Sequence, residues 1–162
     1  MVAFPGYLDP LGKEFKSQFD FICYNGTNRY KVEVKACRAN AESKIDADDF
    51  SSSSLTSRAY TYDETINENF QFHYQQLKPG FCDVFIFVGV CTDRILYWVL
   101  TPNELRTAGG LSPQHPTTGT RDVNNPTFEG QVYKTITDYE EYLVEENDIL
   151  DKIIEKFTAE EG

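Results

Sequence analysis

The chain has 162 residues, of which 40% are hydrophobic and 14% aromatic, so it can bury a core of its own and is not globally disordered. No apolar run approaches the roughly 20 residues that a membrane-spanning helix needs. The N-terminus lacks the basic and then apolar segments typical of a secretion signal. We therefore expect a soluble cytoplasmic protein, with residues 1–162 forming a single domain.

The net charge of −11 is unusual for a protein that binds nucleic acid. The acidity is uneven along the chain, however. Residues 1–60 hold eight Lys/Arg and eight Asp/Glu, whereas residues 121–162 hold four Lys/Arg and twelve Asp/Glu. The N-terminal third can therefore approach phosphate groups without strong repulsion, although the whole chain is not expected to grip DNA tightly by itself.

The four cysteines, Cys23, Cys37, Cys82 and Cys91, are scattered through strand-like segments. They form no C-x-x-C pair and have no histidine nearby, whereas a zinc site needs clustered ligands. We therefore predict reduced cysteines that pack as small hydrophobic side chains.

Helix and strand signals alternate along the chain, which predicts an α/β fold with helices flanking a central mixed β-sheet. The long polar segment at about 40–62 has no apolar period and is expected to be a loop. Capping sequences begin helices at Thr101 and Thr137. In chain order we predict a helix at 11–19, a hairpin at 19–25 and 28–36, the loop at about 40–62, a helix at 63–77, strands at 83–90 and 94–100, a helix after Thr101, a loop at 109–129, a strand at 131–136 and an acidic helix at about 137–158.

The second strand of the hairpin alternates between an apolar and a charged face. Glu33 and Lys35 are therefore neighbours on one face, roughly 7 Å apart along the strand. A turn at Gly26-Thr27 places Asp20 directly opposite Glu33, whereas a turn at Asn25-Gly26 makes the two carboxylates diagonal neighbours. Both registers bring Asp20, Glu33 and Lys35 to the same face.

Two carboxylates at this spacing repel each other unless a cation lies between them. Oxygen ligands suit Mg²⁺ better than zinc, and a lysine beside the metal can hold an attacking water or offset charge on a phosphate. The pattern therefore predicts metal-assisted hydrolysis of a phosphodiester. The alternative is an ordinary solvated face whose charges form cross-strand pairs.

Residues 19–22 (FDFI) and 30–36 (YKVEVKA) resemble the PD-(D/E)xK nuclease superfamily, in which an aspartate on one strand precedes (D/E)-x-K on the next. Phe19 stands where the motif has proline. Residues 70–79, 82–90, 98–105 and 111–115 are similar to type II restriction endonucleases. Residues 12–15 (GKEF) resemble the helix that often carries an acidic residue in the family, so the resemblance spans roughly residues 10–115.

The resemblance implies a restriction-endonuclease-like fold and a Mg²⁺-dependent DNA endonuclease, with Mn²⁺ able to substitute. Asp20, Glu33 and Lys35 would be catalytic, Asp20 and Glu33 would bind the metal, and Glu14 is a weaker candidate. It also implies double-stranded DNA as substrate, prokaryotic or phage origin, and a homodimer or a small cleaving subunit beside a DNA-recognising chain. The alternatives are a structure-specific repair or junction nuclease and a catalytically silent binding subunit.

Three further features of the sequence have two interpretations each, and Trp98 has one. Gln71 and Gln75, four apart on the predicted helix, would contact the reacting phosphate or face solvent. His115 would contact phosphate or lie on the surface, and Trp98 is expected in the core. In the acidic tail an apolar stripe, Leu143, Leu150 and Phe157, would pack on the domain or form a subunit interface.

Overall fold

A computed structural model describes residues 7–10, 19–40, 59–115 and 119–158. The predicted α/β class is confirmed: a six-stranded mixed sheet, a three-stranded antiparallel sheet and a few helices make up this part of the chain. The large sheet has the strand order β1-β2-β3-β5-β6-β9, and the small sheet has the order β4-β8-β7. The strands are β1 (Tyr7–Pro10), β2 (Phe21–Asn25), β3 (Asn28–Arg38), β4 (Phe72–Leu77), β5 (Val84–Val90), β6 (Ile95–Leu100), β7 (Ser112–Pro113), β8 (Gly130–Lys134) and β9 (Leu143–Val144).

The β2–β3 hairpin has the first of the two predicted registers. Asn25 pairs with Asn28 and Phe21 pairs with Val32, so Gly26 and Thr27 form a two-residue turn. Gly26 has a φ of 61°, while Thr27 is not among the described residues with positive φ. This combination is typical of a type II′ turn, which requires glycine at its first central position.

The centre of the large sheet is the parallel pair β3–β5, in which Glu33 lies beside Phe85 and Lys35 beside Phe87. Both faces of the sheet are covered. On one face, Val32 and its neighbours pack against the C-terminal helix. On the other face, Phe85 and Phe87 pack beneath the small sheet. The alternation predicted for β3 is thus present, and its charged face is the one turned toward the small sheet.

The predicted helix at 63–77 is wrong beyond its first turns. Helix α1 spans Tyr62–Asn67, and the chain then enters strand β4 at Phe72. Asn69, with a φ of 49°, ends the helical path. From Phe72 to Gln75 the side chains alternate between buried and outward positions, which is the period of a strand, and β4 pairs with β8. An irregularity at Gln76, which has a φ of 56°, shifts the register before Leu77.

Helix α2 (Pro102–Thr107) begins as predicted. Thr101 and Glu104 form a reciprocal capping box, with proline at the first helical position. Glu104 also accepts hydrogen bonds from Lys156 at 2.8 Å, which ties α2 to the C-terminal helix. Burial alone raises the pKa of Glu104, but the bonds from Lys156 and from the Thr101 N–H hold that pKa below its ordinary value.

The acidic helix expected at about 137–158 is shorter than predicted. Two 3₁₀ segments (Thr137–Tyr142 and Glu146–Asp148) and strand β9 precede helix α3, which spans Ile149–Thr158. Asp138 is the partner of Thr135 rather than part of a cap at Thr137. The helical path is interrupted at Tyr139, which has non-helical dihedral angles (φ −121°, ψ 21°), so no long helix starts here.

Helix α3 packs on the large sheet, as the first interpretation of the apolar stripe predicted. Ile153 is fully buried, and Leu150 and Phe157 pack in the same cluster. The Phe157 ring stacks on Tyr30 of β3, with centroids 4.0 Å apart. Leu143 packs on the opposite face of the sheet, because it belongs to β9 and not to the helix.

Trp98 is buried as expected. Cys23, Cys82 and Cys91 are buried and Cys37 is half-buried. Most of the loop expected at about 40–62 lies outside the described residues, although its last residue, Tyr62, begins α1. In the part of the chain that the structure describes, no helix is both long enough and apolar enough to cross a membrane.

Candidate active site

Asp20 lies at the point where strand β2 separates from β3. Its N–H donates to the Val32 carbonyl at 2.9 Å, and its carboxylate Oδ2 accepts from the Val34 N–H at 2.8 Å. The β2–β3 ladder ends at Phe21, so the Asp20 carboxylate, rather than a backbone carbonyl of β2, accepts the Val34 N–H. This bond holds the side chain against the segment that contains Glu33 and Lys35.

A second aspartate fixes β3 from its other edge. The Lys31 N–H donates to Asp83 Oδ2 at 2.7 Å, and the Asp83 N–H donates to the Lys31 carbonyl at 2.8 Å. Asp83 comes directly before β5, so the pair closes the start of the parallel ladder. The backbone on either side of Glu33 is thus held by carboxylates from two neighbouring strands.

Glu33 and Lys35 form an ion pair, with Lys35 Nζ 2.6 Å from Glu33 Oε1. Their side chains are only 14% and 22% exposed, respectively. The pair lies on the charged face of β3, beside Phe85 and Phe87 of β5. An ion pair in such a partly desolvated position interacts more strongly than one on an open surface.

The Glu33 carboxylate is destabilised in its ionised form. Burial raises the pKa of Glu33 most strongly, and the negative charge of Asp20 raises it further. The hydrogen bond and charge of Lys35 act in the opposite direction but do not compensate fully, so the pKa remains above its ordinary value. A divalent cation between Asp20 and Glu33 would remove this repulsion.

Lys78 and Cys82 are neighbours of the site that the sequence alone did not indicate. Lys78 follows β4, and its positive charge acts on Glu33 as well as on Glu129, whose carboxylate is 3.8 Å away. Burial of the thiol raises the pKa of Cys82, and the negative charge of Glu33 raises it further. In the sequence, Pro79-Gly80 follows Lys78 and predicts that a helix or strand ends there, but it does not predict that Lys78 lies over β3.

The chemistry of these donors fits a magnesium ion. Asp20 is exposed, and its Oδ1 has no hydrogen-bond donor among the described residues. Glu33 supplies a carboxylate whose ionised form is destabilised more by burial and Asp20 than Lys35 stabilises it. Within the same residues, no three His, Cys, Asp or Glu side chains cluster as a metal site. Two carboxylates suffice for Mg²⁺ when waters and a substrate phosphate complete its octahedron.

The remaining predicted residues do not join this group. Glu14 lies outside the described residues. Gln75 belongs to a strand rather than a helix, and it contacts His73 on the outer face of the small sheet, so its predicted helical partnership with Gln71 is wrong. His115 has its carbonyl bonded to the Gly119 N–H.

Comparisons of this chain with protein-family models, with curated proteins and with solved structures found no match. The function is therefore inferred from the geometry and chemistry of Asp20, Glu33 and Lys35.

Proposed function

We propose that this protein is a Mg²⁺-dependent DNA endonuclease that hydrolyses phosphodiester bonds. The observation that supports the proposal is the proximity of three charged side chains at the hairpin. Asp20 lies within electrostatic reach of Glu33, and Glu33 contacts Lys35. Two carboxylates and one lysine in this arrangement are the groups that metal-assisted phosphodiester hydrolysis requires.

Each of the three residues has a distinct role in this proposal. Asp20 and Glu33 would hold the cation, which would polarise the phosphate and activate the attacking water. Lys35 orients the attacking water and offsets the charge that develops on the phosphate. The bonds from Asp20 to Val34 and from Asp83 to Lys31 hold the backbone between these side chains in place.

We also propose that the mixed sheet is of the restriction-endonuclease type, with the protein acting as a homodimer or as the cleaving subunit beside a DNA-recognising chain. Two features support this. In the large sheet, the antiparallel β2–β3 hairpin lies next to strand β5, which runs parallel to β3. The net charge of −11 favours a second chain that contributes to DNA binding.

One observation favours a second candidate function, that of a catalytically silent nuclease-like binding subunit. Asp20 accepts a backbone hydrogen bond and Glu33 is paired with Lys35, so both carboxylates already have structural partners. In that case the same three residues would stabilise the hairpin, and neither Mg²⁺ nor DNA would compete with those contacts.

The two candidates are distinguished by an assay of plasmid cutting in Mg²⁺, Mn²⁺ or EDTA, with the protein alone and together with any protein encoded beside it. We expect cutting that requires the metal, and discrete fragments would indicate a restriction enzyme. Preference for branched DNA would indicate the repair or junction activity. Intact plasmid in every condition would reject the nuclease proposal and leave the binding subunit.

A further inference from the structure

We infer that a pocket beside the active site, lined by Phe19, Ile22, Arg29 and Lys31, is a nucleotide subsite for the DNA strand being cut. The inference rests on the proposed nuclease function. It assigns to this pocket both a phosphate contact and a surface for one base. The four residues are called the hairpin pocket below.

The hairpin pocket combines an apolar floor with a cationic rim. Its volume is about 270 Å³. Phe19 and Ile22 are only 6% and 7% exposed and form the floor, whereas Arg29 and Lys31 are exposed. A planar base attached to a phosphate has this same division between an apolar surface and a negative charge, and bases stack on aromatic side chains in proteins that bind single strands.

The two cations of the rim lack the acidic partners that are common elsewhere in this acidic chain. Lys31 Nζ lies 5.9 Å from the centroid of the Phe19 ring, and the Arg29 guanidinium lies 5.6 Å from that of Tyr24. Within the described residues, neither forms an ion pair with a carboxylate. An anion in the hairpin pocket would therefore meet two cations that no carboxylate of the described residues neutralises.

The local charge matches a DNA strand although the whole chain does not. Residues 19–40 carry four Lys/Arg and two Asp/Glu, a balance of +2, whereas the whole chain carries −11. The hairpin is thus a cationic segment within an anionic protein. Such a local patch attracts phosphate at short range while the remaining surface repels it.

The spacing along β3 connects the hairpin pocket to the active site. Lys31 and Arg29 are two and four residues before Glu33 on the same face, which is roughly 7 and 13 Å at about 3.3 Å per residue. One strand of B-DNA carries a phosphate about every 3.4 Å along its axis. A strand cut at Glu33 would therefore pass over the hairpin pocket within about four nucleotides, and one base would have to leave the duplex stack to reach the apolar floor.

The first test uses NMR titration of the wild-type protein with thymidine 5′-monophosphate and, separately, with inorganic phosphate. Stacking on the pocket floor predicts that the nucleotide binds about tenfold more tightly than phosphate. The amide signals of Ile22, Arg29 and Lys31 should shift. Equal affinity for the two ligands, or shifts elsewhere only, would overturn the nucleotide assignment.

The second test compares the double variant Arg29→Gln/Lys31→Gln with a matched control, Arg94→Gln/Lys152→Gln, which removes the same charge. Arg94 follows the far end of β5 and Lys152 lies on α3, on the opposite face of the sheet. We expect the hairpin variant to raise KM for plasmid cutting about tenfold with kcat within about twofold, and the control to leave both unchanged.

Duplex binding in EDTA, measured by fluorescence anisotropy over a series of salt concentrations, adds a readout that does not depend on cutting. Losing two phosphate contacts should reduce the salt-dependence slope by about 1.8. Wild-type cutting with equal KM in the hairpin variant and the control would overturn the subsite and leave the nuclease function. Nucleotide binding at the hairpin without any cutting would reject the nuclease function and retain only a nucleotide-binding pocket. If poly-glutamate displaces the duplex from the protein as strongly as DNA itself does, the subsite would also be overturned, because binding would then depend on charge alone.

Discussion

Replacing Glu33 by glutamine should reduce Mg²⁺-dependent plasmid cutting at least 10³-fold. Glutamine keeps the size of the side chain but removes the charge with which Glu33 binds the cation. Replacing Lys35 by methionine should cost about 10²–10⁴-fold, because the side chain that orients water and offsets phosphate charge is lost. Initial rates of plasmid nicking at saturating Mg²⁺ measure both effects.

The matched control for Glu33→Gln is Glu155→Gln. Glu155 lies on α3, its side chain is 66% exposed, and its replacement removes the same charge. Its cutting rate should equal that of the wild type. Unchanged cutting by Glu33→Gln would reject the site, and equal losses in both variants would attribute the effect to net charge rather than to the metal ligand.

The pH dependence of stability provides an independent check on Glu33 in the metal-free protein. Because the folded pKa is raised, the stability associated with this group is fully present below the ordinary value of 4.5 and is lost as pH rises through the folded pKa. In EDTA at pH 7, Glu33→Gln should therefore melt at a higher temperature than the wild type. Added Mg²⁺ should reverse that order, since only the wild type binds it.

Replacing Phe87 by alanine should destabilise the protein by about 3–5 kcal/mol, the usual cost of removing a buried aromatic ring. Phe87 is fully buried and stacks on Tyr74 at 4.3 Å, so it joins the two sheets beneath the candidate active site. It also lies beside Lys35 in the β3–β5 ladder. For a chain of this size the melting temperature should fall by about 10 °C.

Ile95→Ala is the control for Phe87→Ala. Ile95 belongs to the same sheet but is 52% exposed, so its truncation should change the free energy of unfolding by less than about 0.5 kcal/mol. Urea unfolding followed by circular dichroism measures both variants. Similar losses in the two variants would contradict the assignment of the core to the space between the sheets.

The sequence was sufficient for those features that short-range chemistry determines. Glycine at position 26 predicts a two-residue turn with two alternative registers, and both bring Asp20, Glu33 and Lys35 to one face; the structure has the register that pairs Phe21 with Val32. Alternation along β3 then assigns Glu33 and Lys35 to one face. The capping box at Thr101 likewise needs only four consecutive residues.

The sequence was insufficient where a distant partner determines the structure. Residues 72–77 were predicted as the second half of a helix at 63–77, but they pair with β8 in the small sheet. The position of Lys78 near Glu33 follows from that sheet. The hydrogen bond from Val34 to Asp20 depends on where two strands separate, which no local pattern indicates.

The most direct test of the metal site is a crystal structure of the wild-type protein with Mn²⁺, located by its anomalous scattering. We expect one peak within about 2.0–2.3 Å of an oxygen of Asp20 and an oxygen of Glu33. A peak elsewhere, or no peak at saturating Mn²⁺ with Glu33 still bonded to Lys35, would contradict the proposed metal site.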